Sequence, residues 1–146
     1  MATLMPTTGK LQSNPGEKSV VQKLYRSMIW SLLYITATRP DIAFSVGCCA
    51  TFQADPRESH LKSVKRIIRY VNGTLDYGLS YSMDTNDSLV TYSDADWEGC
   101  VEYRKSTSGG CFYVGQNLIA WHIKKQNSKS LSTCEAEYIA AGTCCT

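Results

Sequence analysis

The chain has 146 residues, 43% of them apolar, enough for one compact domain or two small pieces of a larger machine and too few for a large multidomain enzyme. Fifteen Lys and Arg against thirteen Asp and Glu leave a net charge of +2, which excludes a histone-like basic tail and an acidic disordered segment alike. That balance hides an asymmetry: residues 1–82 hold ten basic and five acidic side chains, a charge of +5, and residues 83–146 hold five and eight, a charge of −3. Such a division suits a polyanion grip beside a carboxylate site.

The first 20 residues, rich in Thr, Pro and Gly, lack the apolar core of a secretion signal and the Arg of a transit peptide, and read as a disordered linker. From Val21 to Thr36, the residues Val21, Tyr25, Ile29, Leu32, Leu33 and Thr36 recur at helical spacing with no Gly or Pro between them. The longest apolar run, Met28 to Ala37, is about half the roughly 20 residues that a membrane span needs, so no membrane partner is expected. Pro40 suits the first turn of a second helix, with Ile42, Val46, Cys49 and Ala50 as its apolar stripe.

Asp55-Pro56-Arg57-Glu58 reads as N-cap, first-turn proline and capping-box acid. It opens a helix that turns Leu61, Val64, Ile68 and Val71 inward and Lys62, Lys65, Arg66 and Arg69 outward. Asn72-Gly73 ends it, through a left-handed residue. The four cations are candidates for phosphate contact, with Tyr70 and Tyr77 as stacking surfaces, although a basic stripe is also an ordinary solvated helix face.

Beyond Gly73 the apolar period changes from about 3.6 to 2. Tyr77 to Tyr81, Leu89 to Asp94, Cys111 to Val114 and Leu118 to Ile123 read as strands. Asp84 to Asp87, Ser108-Gly109-Gly110 and Gly115-Gln116-Asn117 supply the turns, and such short connections imply antiparallel pairing. Ser132-Thr133-Cys134-Glu135 is a second capping box, before a helix-forming run from Ala136 to Ala141. The class is therefore α+β, a helical segment followed by a mostly antiparallel sheet and a helix.

Asp94 and Asp96 follow a strand, where carboxylates on a rigid support can hold a hard divalent cation; a solvated turn is the plain alternative. Glu135 and Glu137 stand two apart on a helix and point about 200° from each other, so only one can serve a given site. Glu135 has a capping job and Glu137 has none, which makes Glu137 the candidate. Arg104-Lys105-Ser106-Thr107-Ser108-Gly109 is a polar, glycine-ended loop without the glycine spacing of a P-loop, fit for a phosphate contact at most. His122 in an apolar strand reads as packed. Seven cysteines, at 48, 49, 100, 111, 134, 144 and 145, fit neither a disulfide framework nor a zinc site and read as buried or half-buried thiols of an intracellular, reducing compartment.

Tyr25-Arg26-Ser27, Leu32 to Ile35, Thr38 to Phe44 and Val64 to Tyr70 together resemble the end of the reverse transcriptase region, the connection, in Pol polyproteins of copia-type retrotransposons. Tyr92 to Trp97, Arg104 to Gly109, Trp121, Lys124 to Gln126, and Leu131-Ser132 with Glu135 to Tyr138 resemble the ribonuclease H domain that follows it. The resemblance divides the chain into a linker (1–20), a helical connection (21–82) and a partial ribonuclease H-like domain (83–146). It implies a nuclease, a hydrolase of the RNA strand of RNA–DNA hybrids, using two Mg²⁺ ions or Mn²⁺. Asp94 and Glu137 would be the catalytic metal ligands, Asp96 a reserve ligand, and Lys62, Lys65, Arg66, Arg69, Arg104 and Lys105 the nucleic-acid contacts. Hybrid or other nucleic acid and the rest of a Pol polyprotein are the implied partners.

The sequence also departs from the family. Cys100 and Tyr103 stand where acids are usual, Cys134 replaces a small hydroxyl residue, no Tyr-x-Asp-Asp signature occurs, and the family's further Asp residues lie downstream of Thr146. Two acids cannot flank a metal pair, so the resemblance implies a truncated or degenerate copy that is inactive alone. The alternative is a non-catalytic remnant that at most binds nucleic acid.

Overall fold

The computed structural model describes residues 4–5, 11–13, 15–84, 86–100 (backbone only for 98–100) and 105–145. Its elements run α1 (Gln22–Ile35), α2 (Pro40–Ala50), α3 (Glu58–Asn72), β1 (Leu89–Cys100), β2 (Lys105–Val114), β3 (Asn117–Lys125) and α4 (Thr133–Cys144), an α+β arrangement with the helical segment first. They divide into two units, Met1–Gly78 and Leu79–Thr146.

In the first unit the three helices close on Tyr25, Ile29, Leu32, Ile42, Val46, Cys49, Val64 and Ile67. Tyr25 is wholly buried, and its hydroxyl donates to the Cys49 carbonyl at 2.8 Å, so an aromatic body fills the core without leaving a polar atom unpaired. Burial pushes the Cys49 thiol up to about 12, with the neighbouring Cys48 adding to the shift. Leu33, expected inward, is partly exposed beside the buried Leu32. On α3 the inward line centres on His60, Val64 and Ile67, while Leu61, Ile68 and Val71 pack at its edges.

Helix α3 begins two residues later than Asp55-Pro56 suggests. Arg57 is its N-cap, and His60 Nδ1 accepts the Arg57 N–H at 3.0 Å, the task expected of Glu58. The buried His60 ring also stacks on Phe52, and its Nε2 meets the Gln12 carbonyl at 2.9 Å. Lys18, Ser19 and Val20 join this helix start through the backbone, and the Glu17 carboxylate accepts the Ser59 N–H at 2.9 Å. Residues 17–20 are thus tied down, Glu17 and Lys18 accepting from amides that a helix terminus leaves unpaired and Val20 donating to the Pro56 carbonyl, unlike the linker expected from their composition. The helix ends at Gly73 as anticipated, but with φ −86°, in the right-handed region.

Arg39 joins the start of α2 to the end of α3. It is 7% exposed, grips both oxygens of Asp41 at 2.9 and 2.7 Å, and donates to the Thr74 carbonyl and hydroxyl at 3.0 and 2.9 Å. Its guanidinium lies 5.8 Å from the Tyr70 ring centre and 6.0 Å from that of Tyr77, so the two tyrosines flank a cation of the same unit.

The second unit is a three-stranded antiparallel sheet of order β1-β2-β3. Tyr77 to Tyr81, expected as a strand, is irregular, and Ser108-Gly109-Gly110, expected as a turn, lies inside β2 opposite Ala95, Asp94 and Ser93. Gly115, at φ 57°, makes the β2–β3 turn, where a side chain would be strained. Gly110 serves close packing instead: a Cβ there would stand within 3 Å of the His122 ring and of Cys144 Sγ on α4.

Two outcomes follow from these contacts. Gly110→Ala should lower the stability of the second unit by about 1–3 kcal/mol, as overpacking does, while Gly109→Ala, with open space around it, should be close to neutral; urea unfolding of the two variants gives the comparison. The bidentate Arg39 hydrogen bonds, and a further one from the Tyr70 hydroxyl, hold the Asp41 carboxyl below its ordinary range. A carboxyl lowered in the folded state stabilises above its unfolded value and loses that contribution as pH falls through the folded one. Asp41→Asn should therefore melt lower than the parent at neutral pH, and the gap should close on acidification.

Candidate functional site

The candidate acids depend on how α4 is seated. Gln126, at the end of β3, is 5% exposed and all its amide atoms are used. Its Nε2 donates to Ser108 Oγ on β2 and to the Ala136 carbonyl on α4, each at 2.9 Å, and its Oε1 accepts from Ser130 Oγ at 2.9 Å. Strand, loop and helix are thereby fixed by one buried side chain, with Ala136 and Ala140 as the close-packed face of α4. At the helix start Ser132 Oγ accepts the Glu135 N–H at 3.2 Å, and Glu135 accepts the N–H of Leu131, one residue before the Ser132 expected from a capping box. Glu135 is thus occupied by the helix end, and Glu137 is left for another role.

Glu137 Oε1 accepts the N–H of Ala95 at 3.3 Å. Ala95 lies opposite Ser108 on β2, and β1 is an outer strand of the sheet, so this N–H points away from β2 toward the unpaired edge. The Glu137 carboxylate therefore lies at the edge of β1, beside the peptide that joins Asp94 to Ala95. Asp94 and Asp96 are exposed and, by strand alternation, share the face opposite to Ala95. Carboxylate oxygens suit Mg²⁺ or Mn²⁺ in kind, yet no three His, Cys, Asp or Glu side chains converge among the described residues. The donors present are too few for a metal pair.

The basic candidates separate into two places. Lys62, Lys65, Arg66 and Arg69 line one side of α3 and, with Tyr70, Gly73 and Thr74, border an open groove of about 570 Å³. Lys62 also meets Glu58 at 3.6 Å. Lys105 lies in β2, opposite Cys100, so the polar loop expected there is a strand from Lys105 onward. Arg104, Tyr103 and the Cys100 side chain lie outside the described residues. None of the described cysteines is in a disulfide. Cys134 and Cys145 are exposed, against the expectation of buried thiols, because α4 turns only its alanine face to the sheet. Burial raises the Cys144 thiol above its ordinary value, which disfavours the reactive thiolate. His122 is packed as expected, tilted against Phe112 at 6.0 Å.

Gln126 and Gly110 carry the positioning, and neither stands out by periodicity. No helix among the described residues is long and apolar enough to cross a membrane.

The chain is 42% identical to secreted RxLR effector protein 161 of Plasmopara viticola, over 80% of this chain and 82% of that protein. It is 39% identical to the retrovirus-related Pol polyprotein from transposon RE1 of Arabidopsis thaliana, over 94% of this chain. It is 41% identical to the one from transposon TNT 1-94 of Nicotiana tabacum, over 86% of this chain. It spans about a tenth of the length of each of these two Pol polyproteins. No protein-family model and no solved structure matches it.

Removing the Gln126 side chain deletes three buried hydrogen bonds at about 1 kcal/mol each, so Gln126→Ala should lower the stability of the second unit by about 3 kcal/mol. The shift of the urea midpoint, set beside that of the exposed Lys129→Ala, measures it.

Proposed function

The chain belongs to the Pol family of copia-type retrotransposons, and from that premise we propose that Leu79–Thr146 is part of a ribonuclease H unit. Completed, such a unit hydrolyses the RNA strand of an RNA–DNA hybrid. Met1–Gly78 then derives from the end of the reverse transcriptase region. The observation that supports this reading is the Glu137 carboxylate on α4 accepting the Ala95 N–H, at the peptide next to Asp94 on β1. Asp94 and Glu137 are its catalytic residues, with Asp96 in reserve. Mg²⁺, replaceable by Mn²⁺, is the metal of the completed unit, since hard cations prefer carboxylate oxygen. The donors among the described residues fall short of that centre. The setting we propose is reducing and intracellular, since the spacing of the seven cysteines fits no disulfide framework.

A second reading, a non-catalytic remnant that binds nucleic acid, is favoured by one observation: four cations of α3 line one groove. In that reading the α3 face grips a phosphate backbone with no preference for sequence.

The isolated chain should leave a labelled RNA–DNA hybrid uncut in Mg²⁺ and in Mn²⁺; robust cutting abolished by Asp94→Asn would show that the acids present suffice. A chimera that continues the chain with the downstream segment of the Nicotiana tabacum relative should cut the hybrid and lose that activity in Asp94→Asn and in Glu137→Gln. A folded chimera without activity sinks the ribonuclease H reading and leaves the second.

A further inference from the structure

We propose that the groove along α3 is a site for clustered phosphates, an anion carrying at least two phosphate groups close together, supplied by a nucleic-acid backbone or by a free polyphosphate. The proposal rests on the α3-face reading above and adds to it an open groove of defined size and a charge requirement. Lys62, Lys65, Arg66 and Arg69 stand at successive three-, one- and three-residue steps, which keeps them on one side of the helix over about 10 Å of axis. Four positive charges on that length exceed what a single phosphodiester neutralises, and two or three phosphates match them. The volume, about 570 Å³, falls within the range of ordinary ligand sites.

The nearby acids leave the groove cationic. Asp41 is held by both arms of the Arg39 fork, and Glu58 lies a turn before Lys62, at 3.6 Å from its ammonium. The Tyr70 and Thr74 end of the groove is held before any ligand arrives: the Tyr70 hydroxyl donates to Asp41 at 3.1 Å, and Thr74 Oγ1 donates to the Tyr70 carbonyl at 2.8 Å while accepting from Arg39. A preformed wall spares the ligand the ordering cost that a bare, solvated stripe of lysines would impose. The last turn of α3 also gains from cations near its carbonyl end, so a purely structural role is the competing explanation for Arg69 and Arg66.

Calorimetric titration of the full chain with orthophosphate, pyrophosphate, tripolyphosphate and a thymidine octanucleotide tests the site. Affinity should rise with phosphate number, and the octanucleotide should weaken about sevenfold or more when salt rises from about 50 to about 200 mM, the effect of neutralising two or more phosphates. Arg66→Ala/Arg69→Ala should weaken tripolyphosphate by about tenfold, and Lys62→Ala/Lys65→Ala, on more exposed side chains, should do the same should the first variant misfold. Lys23→Ala/Lys129→Ala removes the same charge elsewhere and should change binding less than about twofold. Tripolyphosphate that displaces the octanucleotide supports the pocket as a backbone site; tripolyphosphate bound without the octanucleotide supports it as a polyphosphate site and removes the backbone reading. Octanucleotide binding that tripolyphosphate does not displace overturns the pocket and leaves that reading intact. No binding of either, or equal loss in the Lys23/Lys129 variant, overturns both.

Discussion

The buried amide of Gln126 governs the second unit, because it seats α4, the helix that carries Glu137, on β2, the strand paired with β1. A side-chain amide has two donors and an acceptor at fixed angles, and here they reach β2, α4 and the loop between β3 and α4 at once. An apolar residue of the same size would fill the space without dictating the azimuth of α4. That azimuth decides which of the two acids two residues apart meets β1. Glu137 reaches the Ala95 N–H, whereas Glu135 closes the helix start on Leu131. Gly110 sets the approach of α4 in the same way by having no side chain, since a Cβ would push against His122 and Cys144.

Arg39 plays the comparable part in the first unit. A buried guanidinium is costly unless all its directions are paired, and Asp41, the Thr74 carbonyl, the Thr74 hydroxyl and two tyrosine rings pair them. The turn between α1 and α2 is thereby fastened to the end of α3, the Tyr70 and Thr74 end of the basic groove. Removing either partner of the Arg39–Asp41 pair would leave a largely buried charge or an unpaired carboxylate, which is why the pair responds to pH.

The helices were legible in the sequence because burial imposes a period, which survives in Tyr25, Ile29 and Leu32, whereas β1 and β3 were legible as β-forming runs between turn residues, Leu89 to Asp94 being exposed throughout. What periodicity could not supply was anything set by a single close approach. Ser108-Gly109-Gly110 has turn composition yet runs as a strand, because Gly110 is selected by the space under α4 rather than by its backbone angle. Asp55-Pro56 carries a helix-start signature, but His60 and the segment at residues 17–20 satisfy the free amides two residues on, and the bonds from Glu17 and Lys18 span some forty residues of sequence. The Tyr77 to Tyr81 alternation has no adjacent strand to pair with, and alternation alone does not make one. At the candidate site, Glu137 was separable from Glu135 by helix geometry and capping alone; the role of Gln126 was not, since a polar residue after an apolar strand looks like an ordinary strand end.

The charge asymmetry of the sequence acquires a physical meaning once the units are separated. No charged residue lies between 79 and 82, so the +5 and −3 halves coincide with Met1–Gly78 and Leu79–Thr146. The cations gathered on α3 would attract a polyphosphate approaching the first unit, an attraction that fades beyond about a Debye length. At the edge of β1 the same polyanion meets exposed carboxylates, which repel it unless a divalent cation stands between them and the phosphate. Glu137 spends part of its accepting capacity on the Ala95 N–H, so an ion at this edge competes with a hydrogen bond that also holds the side chain in place. Attraction at α3 needs nothing beyond the side chains present, whereas any attraction at the β1 edge has to be supplied by an ion and by the further ligands that hold it. The proposed binding and the proposed chemistry are therefore separable in this chain, since the first asks for nothing beyond side chains already present.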